Sequence, residues 1–239
     1  MANSFFRFKQ FTIHQEQTAM KVTTDSCLFG AWVASEIQSI PAASTVLDIG
    51  AGTGLLSMMI AQKNNVEIDA VEIDEKAAAQ ARANITNCIW KERINLLESD
   101  VLQLMADKQY SIIVTNPPFY ENELNSPDRR RNIAHHSENL NLKQLIAVIK
   151  NRLLPNGEFF ILLPVKREND FENLCSDFGL YINMKLIIKQ SVNHTPFRLM
   201  MKGSLLTSTV LESAIDIKDE QNNYTTAFIE LLKDYYLNL

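Results

Sequence analysis

Residues 45–63 read TVLDIGAGTGLLSMMIAQK, and this stretch decides the fold. Residues 45–49 are β-branched or apolar around a single acid and form a strand, a turn with glycines at 50, 52 and 54 follows, and residues 55–63 read as a helix. The same alternation continues outward. Residues 66–73 (VEIDAVEI) are a second strand and 75–87 an alanine-rich helix, with further strands at 94–98 and 111–115 (SIIVT). Residues 139–154 are apolar at helical spacing through Leu142, Leu145, Ile146, Ile149 and Leu153, and Pro155-Asn156-Gly157 stops that helix. Residues 158–163 form a strand apolar enough to be buried on both faces. Strands alternating with helices imply an α/β fold, a mostly parallel sheet with right-handed crossovers and helices on both faces. After Gly179 the pattern changes. Residues 181–189 and 197–205 read as an antiparallel hairpin at the sheet edge, and 225–237 as an amphipathic C-terminal helix.

The chain has 239 residues, 46% of them hydrophobic, which suits one α/β domain with extensions. Residues 41–239 are expected to be the core and 1–40 an extension that precedes its first strand. Cys27, Cys88 and Cys175 are odd in number and form no C-x-x-C pair, so a disulfide scaffold is excluded and a reduced, cytoplasmic setting is expected. The opening MANSFFRFKQFTIHQEQ carries charge and glutamine where a signal peptide needs an apolar core. Apolar runs such as 159–165 fall far below the roughly 20 residues of a membrane helix. A net charge of −5 argues against non-specific binding to bulk nucleic acid and leaves room for a local basic site.

The glycines of the 50–54 turn permit a tight bend and close approach of a ligand to a helix N-terminus. Their spacing is G-x-G-x-G, not the G-x-G-x-x-G of a dinucleotide site, and Asp48 stands two residues before the first. That acid would repel a pyrophosphate. It suits a ligand carrying an ammonium group, and S-adenosylmethionine carries both an amine and a sulfonium. Glu72, closing the second strand, has the placement to accept two ribose hydroxyls, and Asp100, beyond the third, to accept from an adenine amino group. Each acid alone is as readily a cap or turn residue. Together they point to S-adenosylmethionine over NAD.

The strand at 111–115 runs into Asn116-Pro117-Pro118-Phe119. Asn-Pro starts turns and Pro-Pro stiffens them, so a plain turn is one reading. The other is chemical. An exocyclic base amine or a carboxamide nitrogen is a poor nucleophile because its lone pair is delocalised. Acceptors aimed at its hydrogens, the Asn116 side-chain carbonyl and the Pro117 backbone carbonyl, would pull it towards sp³, while Phe119 offers a face for stacking. The prolines hold Asn116 extended, and no strong base is required because a sulfonium leaves readily.

This order of glycine turn, strand-end Glu, Asp and N-P-P-F resembles the class I methyltransferases that act on planar nitrogen. FRFKQFTIHQ at residues 6–15 and AMKVTTDSCLFGAW at 19–32 sharpen the likeness. With them the chain resembles the bacterial family that methylates N6 of the adenosine immediately 3′ of the anticodon, position 37, in a valine tRNA. The similarity runs from about residue 7 to 164 and continues more weakly beyond. The resemblance implies a Rossmann-like, seven-stranded sheet whose last strand is antiparallel. It implies that Gly50, Gly52, Gly54, Glu72 and Asp100, with Asp48, hold S-adenosylmethionine, and that Thr24 and Asp25 lie over its methionine end. It implies that Asn116, Pro117 and Phe119 hold the adenine; many members have Tyr where this chain has Phe119, a change that keeps the stacking face.

Arg129, Arg130 and Arg131 follow the reaction motif closely and are expected to meet tRNA phosphates, as is a sparser cluster of Arg7, Lys9 and Lys21. No third ligand accompanies His135 and His136 at a useful spacing, so no metal is expected. The expected partner is a tRNA anticodon loop, where bases are already unpaired, and the expected state is a monomer. Two other functions compete: N5-glutamine methylation of a release factor, using the same N-P-P chemistry, and a non-catalytic RNA-binding scaffold. The first usually brings an N-terminal helical domain for which 40 residues are too few, and the second usually loses the glycines or the Asn.

Overall fold

The computed structural model describes residues 3–41, 44–104, 108–118 and 140–239. The chain opens with a two-stranded hairpin, β1 (Phe5–Arg7) and β2 (Thr12–His14), followed by helix α1 (Thr24–Glu36). The alternating section comprises β3 (Thr45–Ile49), α2 (Leu55–Lys63), β4 (Glu67–Glu72), α3 (Glu75–Thr86), β5 (Ile94–Glu98) and β6 (Tyr110–Thr115). Then come α4 (Leu142–Arg152), β7 (Leu153–Pro164), α5 (Glu168–Asp177), β8 (Tyr181–Ser191), β9 (Arg198–Ser204), β10 (Leu211–Lys218) and α6 (Thr226–Leu232). Strands β3 to β10 form one sheet in the order β5-β4-β3-β6-β7-β9-β8-β10. The first five of these run parallel, and β9 is antiparallel to both β7 and β8.

Alternate residues of the central strands feed two cores. Val46, Ile112, Val114, Phe160 and Leu162 face α1, α2, α3 and α6, while Leu47, Ile113, Phe159, Ile161 and Leu163 face α4 and α5. Burial on both faces is why these strands are nearly continuously apolar. At the N-terminal edge, the Tyr110 hydroxyl donates to Asp69 Oδ2 at 2.7 Å and the Asn95 amide to Oδ1 at 2.9 Å, stitching β6 and β5 to β4.

The expected strands and the β8–β9 hairpin are present, but among the described residues the sheet has eight strands, not seven. β10 adds to the outer edge, parallel to β8. Only Ile215 and Ile217 of it are buried, so it lacks the apolar run that marked the others. Two helices were also unmarked in the sequence. α1 is buried continuously from Ser26 to Ala34 and has no polar stripe, and α5 buries only Phe171 and Cys175, one turn apart. The helix expected at 225–237 ends early because the tail pairs with the N-terminal hairpin: Phe8 bridges Tyr236, and the Lys9 N–H donates to the Tyr235 carbonyl at 2.8 Å. No helix among the described residues is long and apolar enough to cross a membrane.

Gly203 lies in β9 between Phe159 of β7 and Ile182 of β8. A Cβ there would sit 2.6 Å from Phe159 Cε1 and 2.6 Å from the Tyr181 carbonyl oxygen. Gly203→Ala is therefore expected to destabilise the protein by about 2 kcal/mol. Urea unfolding reads this as a lower midpoint at unchanged slope; an unchanged midpoint would mean that the sheet yields freely.

Candidate active site

The parallel register brings the candidate residues to one edge. Ile49 pairs with both Val71 and Thr115, and Glu72 with Glu98. The chain therefore leaves β3, β4, β5 and β6 at the same level, and Gly50, Glu72, Asp100 and Asn116 follow there. The Thr115 hydroxyl reinforces this by donating to the Ile49 carbonyl at 3.0 Å. Sheet order reverses about β3, with β4 on one side and β6 on the other, and such switch points open a crevice at the carboxyl ends of the strands.

The turn after β3 is held residue by residue. Gly50, Gly52 and Gly54 have φ of 74°, 57° and 81°, a left-handed backbone open to glycine and strained for other residues. The N–H groups of Gly50 and Ala51 donate to the Val71 carbonyl at 2.9 and 3.0 Å, and the Gly52 N–H donates to Glu72 Oε2 at 2.8 Å. Glu72 Oε1 accepts from the Asp74 N–H at 2.9 Å. The buried Glu72 carboxylate, expected to accept ribose hydroxyls, thus also braces the turn, and its remaining lone pairs can still accept hydroxyls. A Cβ on Gly50 would meet nothing within 4 Å, so this face of the turn opens to free space.

Asp48 lies fully buried beneath the turn. Its Oδ2 accepts the Ser57 hydroxyl at 2.6 Å, which ties it to the first turn of α2, where Gly54 supplies no side-chain cap. Its Oδ1 has no partner among the described residues. Burial pushes the carboxyl up to about 6, with the Glu72 charge adding a smaller push and the Ser57 hydrogen bonds opposing both. A buried carboxylate with a free oxygen is a receptor for a cation or a donor. Asn116 repeats the pattern across the strand gap: its Oδ1 is buried and also lacks a partner among the described residues.

Asp100 is half-buried, and its Oδ1 accepts the Leu102 N–H at 2.9 Å, capping a single 3₁₀ turn. Pro117 follows Asn116 and is half-buried. Thr24 and Asp25 open α1, whose N-cap is Thr23. Asp25 is held by Arg198, with Nε donating to Oδ2 at 2.7 Å, and Arg198 pairs in register with Pro164 at the end of β7. Both therefore reach the same edge of the sheet, beyond β7. Arg7 and Lys9 do not. Lys9 lies against the C-terminal tail, whose Asp234 pairs with Lys63 at the opposite end of α2 from the glycine turn, and Arg7 is one residue from the Phe8–Tyr236 bridge. Lys21 donates to the carbonyls of Gln15 and Thr18, the latter at 3.1 Å. Phe119, Arg129, Arg130, Arg131, His135 and His136 lie outside the described residues. Among the described residues, no group of three His, Cys, Asp or Glu side chains could hold a metal ion.

Sequence reasoning missed several residues that shape this edge. Ile73 and Leu102 are large, exposed apolar side chains that follow Glu72 and Asp100, and their exposure at strand ends was invisible before folding. Arg198 read only as a hairpin residue. Asn84 of α3 donates to the Thr53 carbonyl at 2.9 Å. A poor helix former inside an alanine-rich helix was the signal that could have marked it.

The methyltransferase small domain family matches residues 31–170. A tRNA1(Val) (adenine(37)-N6)-methyltransferase of Dyadobacter fermentans is 40% identical over 240 residues, covering 98% of each chain. The protein of the same name from Trichodesmium erythraeum is 37% identical and covers 99% of each. Among solved structures, a predicted O-methyltransferase from Agrobacterium tumefaciens superposes with a TM-score of 0.67 at 16% identity, covering 89% of this chain and 99% of its own. The glycopeptide N-methyltransferase MtfA in complex with S-adenosyl-L-methionine gives 0.54 at 15% identity, covering 74% and 94%. These two share the fold. With its glycine turn, strand-end acids and Asn-Pro-Pro segment at one edge of the sheet, and with relatives matched along nearly their whole length, the chain belongs to the tRNA1(Val) (adenine(37)-N6)-methyltransferase family within the methyltransferase small domain group.

Proposed function

We propose that the protein transfers a methyl group from S-adenosylmethionine to N6 of adenosine 37, immediately 3′ of the anticodon in a valine tRNA. The observation that carries this reading is Asn116, an amide at the strand end beside the glycine turn whose carbonyl oxygen is buried and has no partner among the described residues. The site also suits the donor: an open glycine turn, a buried acid with a free oxygen and a strand-end Glu. Asp48, Gly50, Gly52, Gly54, Glu72 and Asp100 hold the donor, and Thr24 and Asp25 cover its amino-acid end. Ile73 and Leu102 line the site for its apolar ring. When bound, S-adenosylmethionine supplies an electrophilic methyl on a sulfonium with a good leaving group.

The chain's own task is to make N6 a nucleophile. Asn116 Oδ1 and the Pro117 carbonyl accept the two amine hydrogens, which localises the nitrogen lone pair for attack. The methylated, cationic nitrogen then gives its surplus proton to solvent, since amide carbonyls accept hydrogen bonds but are too weak as bases to keep a proton. Pro117 and Pro118 keep these acceptors in place, and Phe119 stacks on the base. Arg129, Arg130 and Arg131 meet backbone phosphates around the flipped base. Contacts of Arg7 or Lys9 with RNA would fall outside the target pocket. The whole chain, 1–239, works as one domain and as a monomer in the cytoplasm, and of residues 1–40 the stretch from His14 to Asp25 lies nearest the site.

The test is transfer from labelled S-adenosylmethionine to total tRNA of a strain lacking this gene. N6-methyladenosine in a valine isoacceptor is the expected product; label in protein instead would favour the glutamine reading. Asn116→Ala should lower kcat by about 10²- to 10³-fold, with calorimetric affinity for S-adenosylhomocysteine within twofold of wild type, about the scale of removing one preorganised polar contact. A variant that keeps its turnover would refute the role of Asn116.

Asp48 gives the site a pH dependence. Its raised pKa means that folding bears an increasing electrostatic cost as pH rises through about 6, so its stabilising contribution is present in acid and lost above that point. An ammonium seated beside it favours the charged form. Binding of S-adenosylhomocysteine should therefore weaken as pH falls below about 6 and release a proton there. Asp48→Asn should flatten this dependence between about pH 5 and 7 and bind more weakly at about pH 8. Calorimetry in two buffers of different ionisation enthalpy checks both; an unaltered pH profile in the variant would exclude Asp48 as the titrating group.

A further inference from the structure

Asn84 is only 1% exposed on α3, and all three hydrogen bonds of its side chain leave that helix. Its Oδ1 accepts the His14 N–H at 2.9 Å, and its Nδ2 donates to the carbonyls of His14 and Thr53, both at 2.9 Å. His14 ends the N-terminal hairpin, and Thr53 lies inside the glycine turn. One side chain thus joins two segments that are 39 residues apart in the chain, His14 and Thr53. Four residues earlier on α3, Gln80 Oε1 accepts the Gln17 N–H at 3.3 Å.

The segment that leaves His14 is itself braced. Gln15 Oε1 accepts the Val22 N–H at 2.8 Å, the Thr18 hydroxyl donates to the Gln15 carbonyl at 3.3 Å, and Lys21 Nζ donates to the Thr18 carbonyl at 3.1 Å. It then passes through the Thr23 cap into α1, where Asp25 is held by Arg198. A movement of Asn84 is therefore felt at the turn and along a strap running from His14 to Asp25. Only an amide makes all three contacts: aspartate lacks both donors, and an apolar side chain removes the partner of the His14 N–H and of two carbonyls, that of Thr53 being buried.

We propose that Asn84 is a positioning residue for the methyl donor, locking the glycine turn and the His14–Asp25 strap into one arrangement, so that donor binding and ordering of the strap are coupled. This rests on the methyltransferase reading above. The Gly52 N–H, held by Glu72, and the Thr53 carbonyl, held by Asn84, fix the Ala51–Gly52 and Thr53–Gly54 peptide units of the turn, with one unit between them. The Glu72 contact was within reach of a motif reading. The Asn84 contact adds the strap to the same unit.

The test uses full-length protein and S-adenosylhomocysteine, with binding by calorimetry and amide hydrogen exchange over residues 14–23. In wild type, binding should slow exchange at His14, Gln17 and Val22. Asn84→Asp should raise Kd about tenfold, the scale of one buried hydrogen bond lost, and abolish that protection. Asn64→Asp is the control for mere destabilisation: Asn64 is a buried amide that donates to the Ala34 and Ile60 carbonyls at the far end of α2. It should lower Tm and leave Kd within twofold. Wild-type Kd in Asn84→Asp overturns the proposal. So does binding to wild type without protection of the strap, which needs no variant to fold. Wild type that binds no S-adenosylhomocysteine overturns the methyltransferase reading itself.

Discussion

The hydrogen bond from the Gly52 N–H to the buried Glu72 carboxylate is the contact on which the site depends. Three of the five residues from Gly50 to Gly54 hold a left-handed backbone, and glycines lose the most conformational freedom on folding. Inside the turn only the Gly54 N–H, donating to the Ala51 carbonyl at 2.8 Å, offsets that loss among the described contacts. The other partners come from elsewhere: the Val71 carbonyl, the Glu72 carboxylate and the Asn84 amide. The turn is therefore as much a product of β4 and α3 as of its own glycines. Once it is set, α2 starts in a fixed direction, and Ser57 in its first turn meets Asp48 below.

The second constraint is register. Parallel strands that enter the sheet by right-handed crossovers deliver their carboxyl ends to one edge. Here the ends of β3, β4, β5 and β6 coincide to within a residue, so Gly50, Glu72, Asp100 and Asn116 face one crevice although 66 residues separate the first from the last. The opposite edge carries the polar ties that lock this register, with Asp69 gripping β5 and β6 together. Slipping β6 by one residue would move Asn116 off the crevice and turn Ile113 into the wrong core. Stability and site geometry are thus set by the same pairing.

Elements with a strong period or an apolar run were legible in the sequence because both faces of the central strands are buried. The elements that escaped were those whose environment carried no such signature. α1 is buried all round and so shows no stripe, α5 anchors through two residues, and β10 is an edge strand with two buried isoleucines. The end of α6 escaped for another reason, since its continuation is claimed by an isolated bridge to Phe8, from the other end of the chain.

The site divides in the same way. Local chemistry determined the glycine turn, the acids at strand ends and the Asn-Pro-Pro segment, because each is a short run whose backbone needs or side-chain chemistry is readable in place. Tertiary structure alone decided that Asp48 and Asn116 each keep a buried oxygen without a partner among the described residues, that Arg198 holds Asp25, that Asn84 joins the N-terminal strap to the turn, and that Lys9 belongs to the far edge. Those facts depend on which distant segments become neighbours. The pattern of a sequence records periodicity and local preference, while the burial and partners of a polar group arise only when the sheet closes and its helices dock.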